Sequence, residues 1–111
     1  MFGNMGDIMK QVQEMQAKMA RIQEELKEKT VEVSTGGGMV TAVVNGRQEV
    51  IRLRIEKEVI DPEEAEMLED LVVAAVNQGL KKAGEMMQAE IQNAAGGLDI
   101  QSLLGGFGLG G

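Results

Sequence analysis

The sequence predicts an α+β fold in the chain order α-β-β-β-α, with a small antiparallel three-stranded sheet and two long helices. Three observations predict it. Apolar residues recur at alternating steps of three and four from Met5 to Leu26, Asn45-Gly46 joins two apolar runs, and Asp61-Pro62 opens a second long amphipathic stretch. Each signal belongs to a different element, and together they account for residues 1–95 as one domain.

The first helix rests on Met5, Ile8, Val12, Met15, Met19, Ile22 and Leu26, an unbroken a/d seam. Asn4 or Asp7 is expected to cap its start. Its polar face carries Lys10, Glu14, Lys18, Arg21, Glu24, Glu25, Glu28 and Lys29. Two pairs on that face, Glu14 with Lys18 and Glu25 with Lys29, stand in the favourable i,i+4 order of a solvated helix surface.

Thr30 to Thr35 alternates Val31 and Val33 with Glu32 and Ser34, the pattern of a first strand. Gly36-Gly37-Gly38 follows. A phosphate-cradling loop needs Gly-Lys-Ser/Thr and then a helix; neither comes next, so the glycines read as a tight connection between strands. Asn45-Gly46 then reads as a two-residue type I′ hairpin turn, because both residues tolerate positive φ. That turn sets a register. Val44 faces Arg47, Ala42 faces Glu49 and Val40 faces Ile51 on one side; Val43 meets Gln48, Thr41 meets Val50 and Met39 meets Arg52 on the other. Both faces are then partly apolar and each requires a cover. Val40, Ala42, Val44, Ile51, Leu53 and Ile55 are expected against the helices, with Met39, Val43 and Val50 against a partner chain or solvent.

The second helix is punctuated by Asp61 as N-cap, Pro62 at the first position and Glu64 in a capping box. It runs through Leu68, Leu71, Val72, Ala75, Val76, Gly79, Leu80, Ala83, Met86, Met87 and Ile91 and stops near Ala95. Gly79 costs about 1 kcal/mol relative to alanine in a helix, which points to close approach of another backbone along the small-residue stripe Ala75, Gly79, Ala83. The acids Glu63, Glu64, Glu66, Glu69 and Asp70 suit the positive end of the helix dipole. Their spacing distributes them around the helix instead of aiming them at one cation, so no metal is expected. From Gly96 seven of sixteen residues are glycine, the composition of a flexible tail over 96–111.

Composition narrows function further. With no cysteine and no histidine, disulfides, thiolates, histidine bases and the usual zinc ligands are excluded. No nucleophile and base are paired by motif, so neither catalytic residues nor a cofactor are assigned. No apolar run approaches the roughly 18 residues of a membrane span, and Met1 to Asp7 lacks signal-peptide character; a cytoplasmic protein with no membrane partner is expected. The net charge is −7, yet it is unevenly placed. Residues 1–29 and 30–60 are each neutral, whereas 61–111 hold two bases and nine acids. The only aromatics, Phe2 and Phe107, make no stacking platform for single strands.

The element sizes do not match. A first helix of about 24 residues reaches roughly 36 Å, against a sheet only about 15 Å across. Helix ends must overhang, and a full-length apolar seam on an overhanging helix marks an association site. A homodimer with projecting helical arms is expected.

These residues resemble the nucleoid-associated YbaB/EbfC family. The resemblance lies in the run from Met9 to Met19, in Gly36-Gly37-Gly38-Met39-Val40, in Val44-Asn45-Gly46 with the strand after it, and in the run from Glu66 to Asn77. It covers nearly everything except the tail. It implies a small α-β-β-β-α protein that dimerises like tweezers and binds double-stranded DNA in the nucleoid, affecting nucleoid organisation and gene expression. It further implies links to replication or recombination proteins. No DNA-reading motif transfers residue by residue, so candidate DNA contacts come from charge and geometry: Lys10, Lys18, Arg21, Lys27 and Lys29 around the first helix, Arg52 and Arg54 on a strand, and Lys81 and Lys82 on the second helix. Exposed charges ordinarily serve solvation alone, and Arg52 and Arg54 also suit a salt bridge. The competing expectation is a dimeric protein-protein interaction scaffold with DNA binding incidental, which the acidity of Asp61 to Asp70 favours.

Overall fold

A computed structural model of the chain describes residues 3–94; the expected tail at 96–111 lies outside the described residues. The elements are α1 (Gly3–Glu28), β1 (Thr30–Thr35), β2 (Val40–Asn45), β3 (Val50–Ile55) and α2 (Ala65–Ala94), with short 3-10 turns at Gly36–Gly38, Lys57–Val59 and Pro62–Glu64. The sheet has the order β1-β2-β3 with both pairs antiparallel. The fold class and element order are those read from the sequence.

α2 lies over β1 and β2. Val40, Ala42 and Ala75 form the buried centre, ringed by Ile55, Leu68, Leu71, Val72 and Val76. Ala75, Gly79 and Ala83 are all buried along one stripe. A Cβ on Gly79 would stand 2.7 Å from Val44 Cγ2, so the glycine admits β2 side chains, not another backbone. Two hydrogen bonds fix the helix along the sheet: Thr35 Oγ1 donates to the Leu71 carbonyl at 2.8 Å and Gln48 Nε2 donates to the Leu80 carbonyl at 3.0 Å. At its start the Asp61 carboxylate accepts from the Glu63 N–H at 3.0 Å, with Pro62 opening a 3-10 turn before the α-helix begins at Ala65.

The hairpin departs from the expected turn. Gln48 N–H bonds to the Asn45 carbonyl at 3.0 Å and Asn45 N–H to the Glu49 carbonyl at 2.9 Å, and Gln48 takes a φ of 61°. This is a three-residue loop, a turn closed by a left-handed residue, and not a type I′ pair. The reason lies in the Asn45 side chain. Its Oδ1 accepts from the N–H of both Arg47 and Glu49, at 3.0 and 3.1 Å, while Nδ2 donates to Glu49 Oε1 at 2.8 Å. Gly46 is needed for close approach: a Cβ there would lie 2.7 Å from Leu26 Cδ2.

The register shifts accordingly. Val40 pairs with Ile55, Thr41 with Arg54, Ala42 with Leu53 and Val43 with Arg52, and after a bulge Val44 pairs with Val50. Val50 therefore joins the side facing α2. The opposite face carries Glu32, Ser34, Thr41, Val43, Arg52 and Arg54, with a 2.9 Å hydrogen bond between the Ser34 and Thr41 hydroxyls. It is polar around one shielded valine and does not require the apolar cover anticipated for it.

On the α2 side Val40, Ala42 and Val44 are buried as expected, but Ile51 and Leu53 remain 54% and 40% exposed. The cause is the seat of α2, which covers β1 and β2 and reaches β3 chiefly at Ile55, leaving Ile51 and Leu53 open.

α1 is already helical at Gly3, so Asn4 and Asp7 lie within it and do not cap it. Only its C-terminal end docks. Ile22 and Leu26 are buried, while Met5, Ile8, Val12 and Met15 are half exposed or more. The Leu26 and Lys29 carbonyls both accept from the Gly46 N–H, at 2.8 and 2.9 Å, which joins the end of α1 to the hairpin. From that joint the helix projects as an arm, and the described chain extends 73 Å along its longest axis.

Candidate nucleic-acid interface

All nine candidate basic residues are exposed. Lys29 is the one whose charge is engaged among the described residues, in a hydrogen-bonded ion pair with Glu90 of α2. That contact holds the Lys29 ammonium above its ordinary pKa of 10.5. Because the folded chain then binds this proton more tightly than the unfolded chain, the stabilisation is complete below pH 10.5 and fades as the pH rises through the elevated folded value. Melting curves through this alkaline range should fall more gently for Glu90→Gln than for the parent chain; equal slopes would show that the pair contributes nothing.

The other eight bases form no ion pair among the described residues. Helical periodicity gathers Lys10, Lys18 and Arg21 within a sector of roughly 80° turned away from the apolar seam. Asp7, Glu14, Glu25 and Glu28 share that sector, so it carries no positive excess. Arg52 and Arg54 stand on the open polar face of the sheet, opposite Val43 and Thr41. Lys81 and Lys82 lie on α2, the element that packs on the other face, so these two pairs do not converge within one chain. Lys27 sits in the last turn of α1.

Arg47 was not among the candidates and belongs with them. It is exposed at the hairpin tip, beside Gly46 and hence beside the carbonyls of Leu26 and Lys29. Arg47 thus joins Lys27 and Lys29 at the base of the arm. Its position directly after Asn45-Gly46 was the available signal, since a residue at a hairpin tip projects from the sheet.

The acids that close the other side of the ledger sit apart. Asp61, Glu63, Glu64, Glu66, Glu69 and Asp70 are exposed around the start of α2, and among the described residues no three His, Cys, Asp or Glu side chains gather as a metal site. No described helix is long and apolar enough to cross a membrane.

The model of the YbaB/EbfC DNA-binding family matches residues 1–98. The chain belongs to this family. Among YbaB/EbfC relatives, a nucleoid-associated protein of Syntrophobacter fumaroxidans is 59% identical over 95 residues, covering 86% of each chain. One from Acetivibrio thermocellus is 55% identical over 96 residues, covering 86% of this chain and 85% of the relative. The crystal structure of an uncharacterized Helicobacter pylori protein superposes with a TM-score of 0.70 at 25% identity, over 80% of this chain and 94% of that one. A YbaB/EbfC chain of this kind is a binding protein, not an enzyme.

Proposed function

We propose that this chain acts as a homodimer that binds duplex DNA in the bacterial nucleoid, mainly through phosphates and with weak sequence selectivity, and so contributes to nucleoid organisation and gene regulation. The observation that carries the reading is the set of nine exposed candidate side chains without an ion pair among the described residues, Arg47 included, spread over the arm, the hairpin tip, the open sheet face and α2. Phosphate contacts position a protein on DNA and carry no sequence information. No single face of one chain concentrates much positive charge. Two chains double the sparse bases, and those on α1 stand on a different element from the acidic start of α2.

Binding driven by counterion release weakens steeply with salt. With about four phosphate contacts, affinity for a random-sequence duplex should drop on the order of 100-fold between about 50 and 200 mM salt in a gel-shift titration. A flat response would remove the phosphate reading. The exposed acids from Asp61 to Asp70 favour a second role for that end of the molecule, as a surface for replication or recombination proteins; an intact protein that retains no DNA at low salt would leave this scaffold role standing alone.

A further inference from the structure

The hairpin between β2 and β3 is exposed at its tip, yet its shape is fixed from three sides. Five hydrogen bonds converge on Asn45: its N–H donates to the Glu49 carbonyl, its carbonyl accepts from the Gln48 N–H, its Oδ1 accepts from the amides of Arg47 and Glu49, and its Nδ2 donates to Glu49 Oε1. Gln48 Nε2 is tied to the Leu80 carbonyl of α2, and the Gly46 N–H to the Leu26 and Lys29 carbonyls at the end of α1. Gln48 holds a φ of 61°, a conformation that costs a residue other than glycine and persists only where its surroundings over-determine it. Such residues collect at binding sites.

Within this frame the Arg47 guanidinium is left over. It makes no ion pair among the described residues, and the carboxylates set to take it are engaged elsewhere: Glu49 by Asn45, Glu90 by Lys29. Because the Leu26 carbonyl and the Gly46 N–H meet at 2.8 Å, Lys27 and Arg47, each the next residue in the chain, lie side by side, and both are exposed. Glu25 and Glu28 leave α1 about 160° and 100° round the helix from Lys27. We infer that Arg47, with Lys27 beside it, is the fixed phosphate contact of the molecule, the point at which the duplex backbone is held while the arm settles along it. This rests on the duplex-binding reading above and names the residue that anchors it.

Two comparisons favour this point over the arm. Lys10, Lys18 and Arg21 stand on a helix attached at one end only, so engaging them also orders the helix that carries them, whereas the backbone of Arg47 is ordered before any ligand arrives and only its side chain is immobilised. A guanidinium fork also matches phosphate oxygens in a bidentate way that an ammonium cannot. The tip lies at the joint from which the arm projects, so it keeps its place whichever way the arm leans.

Duplex affinity and its salt slope are measured by fluorescence anisotropy for the parent chain, Arg47→Glu, Arg47→Lys and Lys57→Glu, each verified as folded by circular dichroism. Lys57 is exposed just beyond β3, at the end of the sheet remote from the hairpin, so its reversal makes the same change in net charge away from the tip. At about 50 mM salt one phosphate contact contributes about tenfold in affinity and about 0.9 in logarithmic slope. The expected result is a loss of about tenfold or more for Arg47→Glu with a slope lower by about 0.9 for each tip engaged, a slope preserved in Arg47→Lys, and a change within about threefold for Lys57→Glu. Equal losses in the two reversals, or an unaffected Arg47→Glu, would overturn the anchor while the parent's salt-dependent binding leaves the duplex reading standing. An Arg47→Lys chain as weak as Arg47→Glu would trace the loss to the loop and overturn it as well. A parent chain that binds no duplex at low salt would overturn both.

Discussion

Replacing Leu26 with alanine will lower the stability of the chain by about 2–5 kcal/mol, the range for truncating a fully buried leucine. Leu26 has no exposed surface, and its side chain and carbonyl together make the joint that holds α1 to the hairpin. The expected signature goes beyond a lower urea midpoint. Once Leu26 no longer fills the space against Gly46, α1 loses the contact that orients it, and hydrogen exchange should accelerate throughout the arm before the sheet is affected. A loss below about 1 kcal/mol, with the arm's exchange unchanged, would show that the site collapses without harm or that α1 is anchored elsewhere.

Simultaneous reversal of Lys10, Lys18 and Arg21 to glutamate should weaken duplex binding by about 100-fold or more at low salt and flatten the salt dependence, since each lost phosphate contact takes about 0.9 from the logarithmic slope. Stability should hardly change, because these residues are exposed and without ion pairs among the described residues. Fluorescence anisotropy with a labelled duplex measures both quantities. Unchanged affinity would exclude the arm and direct attention to Arg52 and Arg54.

Much of the fold was legible because its signals are local. The alternation of Val31 and Val33 with Glu32 and Ser34 marks β1 at the limits observed, Thr30–Thr35. Asp61 with Pro62 marks the start of the last helix, and Gly79 announced tight packing from its cost alone. What failed was governed by distant parts of the chain. Asn45-Gly46 carries the letters of a type I′ turn, but Leu26, twenty residues earlier, requires the glycine for packing and takes its N–H, while the asparagine side chain captures two other amides. The register moved with the turn and carried Val50 to the other face.

The bare side of β3 was equally hidden, since periodicity shows which residues point toward a helix but not how many strands that helix spans. For the candidate interface, charge located the bases but could not foresee that Glu90 engages Lys29 across 61 residues. Nor could it show that Arg52 and Arg54 lie on the face remote from α2, because that depends on the register. The Asn45-Gly46 signal that locates the turn also locates Arg47 at its exposed tip, so this residue is legible in the sequence.

The one-ended attachment of α1 makes the arm a helix-coil system with a fixed origin. Starting an isolated helix is unfavourable, whereas extending one is close to neutral per residue in water. The packed turn from Ile22 to Leu26 supplies the nucleus, and order propagates outward toward Met5 with backbone hydrogen bonds and weak i,i+4 pairs as its support. Helical persistence therefore declines with distance from the joint. Anything that covers the seam adds its free energy to the whole run at once, so the length of ordered arm becomes a measure of whether the seam is occupied.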